Sequence, residues 1–386
     1  MMLDTTGHRE DAAGSNFRFY DNRQKYLMFV NTCSEKWVVA DRVAKEIDLL
    51  QPSPPSVRFF DAGMGDGTVL ARVLRSMHRR FERFPFYIAG KEISLEDVRL
   101  TLDKMPDRFL EHPEMVLAVT NISYAEAPWL TPARPDAAKR HVWKEVALKG
   151  TTTAEFEKQI LELQPFLAAN WRTTSSPSGS MIPETPTTLI LYREDCKFLL
   201  DAIIPRREAP VADFDLVLAS QPFRLRADVD FKARRVLGPL ARSLRPDGRL
   251  LGIHSAGNDP GLEIVQKVWP GEDPFLTSRR ALIEATRHAM GEEAERYRFD
   301  PLPNGQALFR YEMHTLPDEI DSMRATIGTS TLLAAWNAAT YVAQIDDERL
   351  AQAMSDSSYL EATKAVLRKH GELWFNDESY VITRLR

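Results

Sequence analysis

The sequence predicts an α/β protein built on a seven-stranded, mostly parallel, doubly wound sheet, with an N-terminal helical segment and helical insertions. The first observation is that short apolar segments of strand character alternate with segments of helical periodicity. The second is a glycine-rich turn, Gly63 to Gly67, that joins the first such strand to a helix. The third is that the chain ends in two further strand-like segments, Ala307 to His314 and Glu372 to Thr383.

The first strand and its turn are the most informative segment. Phe59 and Phe60 form an apolar strand that ends at Asp61, and glycines then recur at every second position, at Gly63, Gly65 and Gly67. Glycine permits positive φ and lets a ligand approach the backbone without a Cβ in the way. The helix that follows Thr68 presents its N-terminus to such a ligand, which favours a nucleotide-type site over an ordinary strand-to-helix turn. The predicted inner face of this helix is Val69, Leu70, Val73, Leu74 and Met77.

The glycine spacing separates two classes of cofactor. The dinucleotide fingerprint is G-x-G-x-x-G, whereas this chain has Asp61-Ala-Gly-Met-Gly-Asp-Gly67. That pattern, D-x-G-x-G-x-G, resembles the first motif of the class I (Rossmann-like) S-adenosylmethionine-dependent methyltransferases. The resemblance implies that the glycine loop lies against the methionine part of the cofactor, and that the leading acid orders the loop and the amino end of the cofactor.

The next two predicted strands each end in a candidate cofactor ligand. The segment Pro85 to Ala89 is followed by Glu92, near the place where a carboxylate about 20 residues past the glycines accepts the ribose hydroxyls. By resemblance Glu92 is the ribose ligand; its alternative is a surface carboxylate paired with Lys91. The strand Met115 to Val119 leads to Asn121 and Ile122, which by resemblance meet the adenine. A simple Asx turn at Asn121 is the alternative.

The fourth and fifth strands carry the candidate catalytic residues. The apolar run from Phe214 opens into Ser220-Gln-Pro-Phe223, which resembles the D/N/S-P-P-Y/F/W motif of methyltransferases acting on amino groups. There a polar side chain and a backbone carbonyl accept hydrogen bonds from the target nitrogen, and the aromatic ring stacks on the substrate. The chain departs from the motif by having Gln221 in place of the first proline, and Pro222 and Phe223 alternatively start the next helix. The fifth strand ends at His254, either a base or substrate contact in the cleft or a hydrogen-bonded structural histidine.

Three regions are predicted along the chain. Residues 1–55 form a tail and a helical lid, or a plain docking helix, with an aromatic cluster at Phe17, Phe19, Tyr20 and Tyr26 and an inner face at Trp37, Val38, Ala44 and Ile47. Residues 56–125 and 211–386 form the S-adenosylmethionine-binding methyltransferase core. Residues 126–210 form an insertion and a candidate substrate-recognition region. Within it, residues 172–188 are rich in Ser, Thr and Pro, which predicts a loop or linker.

Composition narrows the class of partner. With 386 residues, 44% hydrophobic and 27% charged, the chain exceeds one minimal domain. A net charge of −5 and a pI near 6.0 argue against a general nucleic-acid binder, and local arginine runs are ordinary solvated helix faces. The two cysteines have no metal-binding spacing and favour a reducing, cytoplasmic compartment. The polar N-terminus has no signal-peptide core, and the sequence has no apolar run of about 18 residues.

The expected function is therefore that of an S-adenosylmethionine-dependent methyltransferase acting on an amino or hydroxyl group of a small-molecule methyl acceptor. A nucleic-acid or protein methyltransferase remains an alternative, as do a nicotinamide-dependent oxidoreductase and a non-catalytic cofactor-binding protein. No metal is expected, and the oligomeric state is left open. Methyl transfer needs alignment and desolvation more than a catalytic triad, so the lack of a triad in the sequence does not count against an enzyme.

Overall fold

The computed structural model describes residues 23–176, 181–314 and 327–386. The predicted tail at residues 1–15 and the aromatic residues Phe17, Phe19 and Tyr20 lie outside this range. The strands are β1 Val57–Asp61, β2 Phe86–Lys91, β3 Met115–Thr120, β4 Val142–Leu148, β5 Thr173–Ser175, β6 Met181–Pro183, β7 Thr187–Arg193, β8 Phe214–Ser220, β9 Leu244–Ser255, β10 Tyr297–Asp300, β11 Leu308–Glu312 and β12 Trp374–Arg384.

The helices cover both faces of the sheet and the edge at which the parallel strands end. They are α1 Arg23–Thr32, α2 Glu35–Ile47, α3 Thr68–Arg80, α4 Leu95–Asp103, α5 Met105–Glu111, α6 Pro135–Arg140, α7 Thr153–Leu161, α8 Gln164–Asn170, α9 Lys197–Leu200, α10 Val229–Lys232, α11 Gly238–Arg242, α12 Pro260–Val268, α13 Arg279–Met290, α14 Asn304–Ala307, α15 Thr329–Val342, α16 Asp347–Ala353 and α17 Ser358–His370. A π-helical segment, Ala233–Leu237, joins α10 to α11. None of the described helices is long and apolar enough to cross a membrane.

One ten-stranded sheet organises the molecule, in the order β10-β12-β9-β8-β1-β2-β3-β7-β4, with β11 also paired to β12. The central strands β9, β8, β1, β2 and β3 are parallel. The last strand, β12, runs antiparallel between β9 and β10. In the class I methyltransferase fold the last strand is inserted antiparallel beside the fifth predicted core strand, which here is β9. The chain therefore has that fold.

The predicted fold class is confirmed, but the predicted count of seven strands is too low. The strands β4 and β10 were not predicted. The sequence of β4, Val142 to Leu148, carries Lys144 and Glu145 in its middle, and most of its residues are only half-buried at the sheet edge. The strand β10 has four residues, too few to show a period.

The segment 126–210 extends the sheet. The strand β7 pairs antiparallel with β3, through Thr120 and Thr188 at one end, and parallel with β4 on its other side. Every residue of β7 is buried. In the segment predicted to be a loop, β5 and β6 pair as a short hairpin. The division into a core and a recognition insertion remains a prediction.

The helix patterns were predicted with mixed success. The five residues predicted as the inner face of α3 are all buried, as its strong amphipathic pattern indicates. The predicted inner face of α2 was wrong in part, because Trp37 is 47% exposed while Val39, Ala40 and Val43 are buried beside Ile47. The large aromatic ring was taken for a core residue, but it lies on the surface under the guanidinium of Arg72.

Candidate functional site

A cavity of about 760 Å³ lies where β1, β2 and β8 end. Open α/β sheets bind ligands in this crevice at the carboxyl ends of their strands. Among the predicted site residues, six line the cavity: Gly63, Gly65, Glu92, Ser220, Gln221 and Phe223. The glycine turn, the acid after β2 and the motif after β8 are thus brought together from three distant parts of the sequence.

The three glycines of the turn have different roles. Gly65 and Gly67 have φ of +53° and +76°, in the left-handed region that favours glycine. A Cβ on Gly67 would lie 2.7 Å from the hydroxyl oxygen of Thr101, so this glycine is needed for contact with α4. A Cβ on Gly63 would meet nothing closer than the carbonyl oxygen of Ser220 at 4.0 Å. Gly63 therefore leaves bare backbone toward the cavity, and Gly67 serves the packing of the turn.

Asp61 supports the turn from beneath. Its side chain is buried, and its Oδ1 accepts the backbone N–H of Gly63 at 3.1 Å. Burial raises the pKa of Asp61 to about 7, although the Gly63 N–H acts in the opposite direction. Asp61 does not line the cavity itself, so its direct contribution is to the conformation of the glycine turn.

Glu92 joins the end of β2 to the same turn. One carboxylate oxygen accepts the N–H of Gly65 at 2.9 Å, and the other accepts those of Ile93 and Ser94 at 2.7 and 2.8 Å. Burial raises the pKa of Glu92, and the nearby Asp97 acts in the same direction. The backbone carbonyl of Glu92 accepts the indole N–H of Trp171 at 2.9 Å. The carboxylate therefore stands in the cavity wall and is fixed by main-chain donors.

The motif after β8 is held by its glutamine. Gln221 has a φ of +48°, and its side-chain amide donates to Ser255 Oγ at 3.0 Å and to Asp377 Oδ1 at 3.4 Å. These bonds tie the turn after β8 to β9 and β12. Ser220 and Phe223 on either side both face the cavity. The replacement of the expected proline thus gives the turn a side chain that anchors it to two neighbouring strands.

His254 lies away from the cavity wall. It is buried, with its Nε2 2.9 Å from Glu378 Oε1, and Glu378 also accepts the backbone N–H of Arg279 at 2.7 Å. Burial raises the pKa of Glu378, but hydrogen bonds from His254 and Arg279 outweigh it and bring the value to about 2. His254 therefore belongs to a buried charged network. Its predicted role as a base stays a prediction without support from this placement.

Asn121 and Ile122 are not brought to the cavity either. The amide of Asn121 donates to the carbonyl of Thr185 at 3.0 Å, and its oxygen accepts the N–H of Thr187 at 2.8 Å. Ile122 is buried in the core on one face of the sheet. Asn121 thus fixes the start of β7, as an amide after a strand can do in any fold, and the adenine contact stays a prediction.

Several cavity residues were missed because they come from elements far away in the sequence. Helices α1, α2 and α15 contribute Phe29, Lys36 and Tyr341, the end of β2 contributes Lys91, and the region after β3 contributes Tyr124. Tyr26, named in the predicted aromatic cluster, also lines the cavity. Lys36 Nζ lies 3.4 Å from a carboxylate oxygen of Glu35. Burial alone would lower the pKa of Lys36, but Glu35 and the other acidic groups nearby hold that pKa well above its usual range. Only Lys91 had a signal in the sequence, as a charged residue ending a fully buried strand.

The described residues contain no group of three or more His, Cys, Asp or Glu side chains placed to hold a metal ion. Each element of the site can instead be assigned to binding and orientation. The bare turn and the fixed carboxylate suit an uncharged or cationic nucleoside ligand, and the walls around Phe223 suit a second molecule beside it.

Comparison with known proteins bears on the fold. No protein-family model matches the sequence, and a search of curated proteins gave no significant match. Similar solved structures include a geranyl diphosphate methyltransferase in complex with GPP and sinefungin (12% identity, 89% of this chain and 78% of that chain covered, TM-score 0.33). Another is Haemonchus contortus phosphoethanolamine N-methyltransferase 2 with S-adenosyl-L-methionine (11% identity, 96% of this chain and 60% of that chain covered, TM-score 0.32). A third is the CurJ carbon methyltransferase (9% identity, 91% of this chain and 54% of that chain covered, TM-score 0.32). At these scores the strand order of the sheet, not the similarity, carries the assignment of the fold.

Proposed function

We propose that this protein is an S-adenosylmethionine-dependent methyltransferase that moves a methyl group to an amino or hydroxyl group of a small molecule. One observation carries the proposal. The glycine turn, the carboxylate of Glu92 and the Ser220–Phe223 turn line a single cavity on a sheet of class I methyltransferase topology. Its volume, about 760 Å³, lies within the range of ligand-binding pockets.

The residues present fit the cofactor. Gly63 leaves open space where any other residue would place a Cβ, and Gly65 holds a backbone conformation that favours glycine. Glu92 presents a carboxylate whose orientation is already fixed by three N–H donors. When bound, the cofactor supplies a methyl group on a positively charged sulfur, open to attack by a nucleophile. We assign Glu92 to the ribose and the turn to the methionine part.

The other wall of the cavity orients the acceptor. Ser220 offers a hydroxyl and a carbonyl oxygen, and Phe223 a ring surface, next to Gly63. The side chain of Gln221 fixes the turn that follows Ser220 to β9 and β12. Helices α1 and α15 add the aromatic side chains of Tyr26, Phe29 and Tyr341 to the lining of the same cavity. Alignment and desolvation of the nucleophile are the main demands of such a transfer.

The decisive measurement is mass spectrometry of the purified protein for retained S-adenosylmethionine or S-adenosylhomocysteine, with calorimetry of S-adenosylhomocysteine binding. Glu92→Ala should weaken binding by about 1–3 kcal/mol, because it removes the carboxylate assigned to the ribose hydroxyls and the acceptor that holds Gly65 of the turn. Glu82→Ala, on an exposed residue outside the cavity, is the matched control. A metabolite extract with labelled cofactor then screens for the acceptor.

Three results would reject the proposal. One is tight binding of NADH without binding of S-adenosylhomocysteine, which favours an oxidoreductase. Another is equal affinity of the Glu92→Ala and Glu82→Ala variants, which removes the site. The last is salt-sensitive binding of RNA or DNA with methylation of the polymer, which assigns a macromolecular acceptor.

A further inference from the structure

The charged side chains that line the cavity differ in whether the protein gives them a partner. Each acidic side chain among them has an interaction partner within the protein. Glu35 pairs with Lys36, and Glu92 accepts three backbone N–H groups. Asp228 caps α10 by accepting the N–H groups of Asp230 and Phe231. Asp97 likewise has an interaction partner. The acids of the wall are therefore engaged by the protein itself.

The basic groups differ. Arg226 donates to the carbonyls of Ala343 and Gln344 at 3.0 and 2.9 Å and to Glu272 at 2.6 Å, so it serves the structure. By contrast, Arg224 and Arg235 line the cavity and make no side-chain hydrogen bond or ion pair with any described residue. The charges left unpaired at the cavity are thus positive.

Lys91 is the most buried of these groups. It is 8% exposed, it ends β2, and it lines the cavity. Within the described part of the chain its ammonium group forms no hydrogen bond or ion pair, and it lies 4.5 Å from the centre of the Tyr124 ring. Burial lowers the pKa of Lys91, while the charge of Glu92 acts against this. An ammonium group buried without acceptors is costly, and a ring face replaces only part of its lost hydration.

We propose that Lys91 and Arg224, together with Arg235, form a subsite for an anionic group, a carboxylate or a phosphate, on the methyl acceptor. This inference rests on the proposed function and names the class of acceptor. An anion placed between these side chains would supply the missing hydrogen-bond acceptors and the missing negative charge, and a guanidinium can bind either anion through two N–H groups. The rings of Tyr124, Phe223 and Phe231 line the same cavity and offer apolar surface to the rest of that molecule.

The position of these cations favours the acceptor as the source of the anion. Arg224 directly follows the Ser220–Phe223 turn, and Arg235 lies in the helical segment after it, with Phe231 and Val236 also in the cavity wall. Along β2, Lys91 shares a face with Tyr87 and Ala89, whose side chains pack in the core on the face opposite α3. Arg224 and Arg235 therefore border the acceptor half of the cavity, and Lys91 lines the same cavity from the same face of the sheet.

The test uses the full chain, with and without saturating S-adenosylhomocysteine, titrated by calorimetry with inorganic phosphate and, separately, with benzoate. Lys91→Met and Arg224→Gln should each weaken the better-bound anion at least tenfold and leave the affinity for S-adenosylhomocysteine within twofold. The matched controls are Lys144→Met, which removes a lysine above the ring of Phe166, and Arg234→Gln, which removes an exposed arginine outside the cavity. Neither control should change anion binding.

The arms of the test separate the sources of failure. Preference for phosphate or for benzoate identifies the anion. If Lys91→Met weakens S-adenosylhomocysteine but not 5′-methylthioadenosine, which lacks the amino-acid part, the cations bind the cofactor carboxylate and the proposal is overturned. Absence of anion binding by the wild type, or equal losses in the controls, also overturns it. The cofactor titration of the wild type tests the proposed function independently of either anion.

Discussion

At the scale of single residues, the buried carboxyl group of Asp61 makes the stability of the protein depend on pH. Its pKa of about 7 in the folded chain lies above the value of 3.8 for an unperturbed aspartate. Between these values the unfolded chain releases a proton that the folded chain retains, so the contribution of Asp61 to the free energy of unfolding falls as the pH rises from about 4 to about 7.

We therefore predict that Asp61→Asn is stabilised relative to the wild type as the pH rises through this range. Since one pKa unit corresponds to about 1.4 kcal/mol, the relative gain should reach a few kcal/mol. Urea unfolding at several pH values measures it, with the exposed Asp103→Asn as control. Parallel curves for the wild type and Asp61→Asn would contradict the assignment.

A second prediction concerns His254. Because it is buried against Glu378 and lies outside the cavity wall, His254→Gln should lower the free energy of unfolding by about 1–3 kcal/mol. Cofactor affinity, and turnover per folded molecule once an acceptor is known, should stay within twofold. A change in the pH dependence of turnover, at unchanged stability, would instead support a catalytic base.

The residues that sequence reasoning placed in the cavity are those defined by local chemistry. A glycine that leaves bare backbone and an acid that ends a strand are visible in short motifs, as at Gly63 and Glu92. Lys91 gains a candidate ligand-binding role only in the folded chain, where it contacts Tyr124 and lines the same cavity as Arg224. Asn121 was predicted from the same kind of short motif. In the structure its side-chain oxygen instead accepts the N–H of Thr187 in the later strand β7. A short motif around Asn121 cannot show that a distant strand will take up its side chain.

At the scale of elements, α1 lines the cavity through Tyr26 and Phe29, and its predicted role as a lid depends on its packing. Phe29 is 2% exposed, and its ring centre lies 4.9 Å from that of Tyr341 on α15. We predict that Phe29→Ala loosens α1, with a loss of about 3–5 kcal/mol at this contact. Faster hydrogen exchange over residues 23–32 and at least tenfold weaker binding of S-adenosylhomocysteine are expected.

Leu27→Ala, on the exposed side of α1, is the control for that experiment. If Phe29→Ala speeds exchange but leaves cofactor affinity unchanged, α1 is a docking helix and not a lid.

Prediction from sequence succeeded for elements with strong periodicity, such as α3. It was wrong where one large ring misled the pattern, as at Trp37, and it missed β4, where Lys144 and Glu145 hide the strand.

At the scale of the whole molecule, the strands β7 and β4 make the segment 126–210 part of one sheet. Leu189 in β7 is fully buried and pairs with Val119 of β3 and Lys144 of β4. We predict that Leu189→Ala lowers the free energy of unfolding by about 2–5 kcal/mol in a single transition. Circular dichroism and tryptophan fluorescence should coincide, because Trp143 lies in β4 and Trp374 in β12.

Two separate transitions, with only one shifted by Leu189→Ala, would show an independently folded insertion.

The overall fold was predictable because the parallel strands, the helices between them and the last two strands each show a periodic hydrophobic pattern in the sequence. The extension of the sheet was not, since residues 126–210 contain no signal for the edge on which their strands pair. That choice depends on the edge of β3 that β2 leaves unpaired, which β7 occupies.

The indole N–H of Trp171 donates to the backbone carbonyl of Glu92, the residue whose carboxylate we assign to the ribose. Indole emission shifts with the electric field and the hydrogen bonding around the ring, so occupancy of the neighbouring carboxylate should change the colour of this fluorophore. We therefore expect the fluorescence of Trp171 to change when a nucleoside binds at Glu92, and Trp171→Phe should remove this change while the other tryptophans still emit.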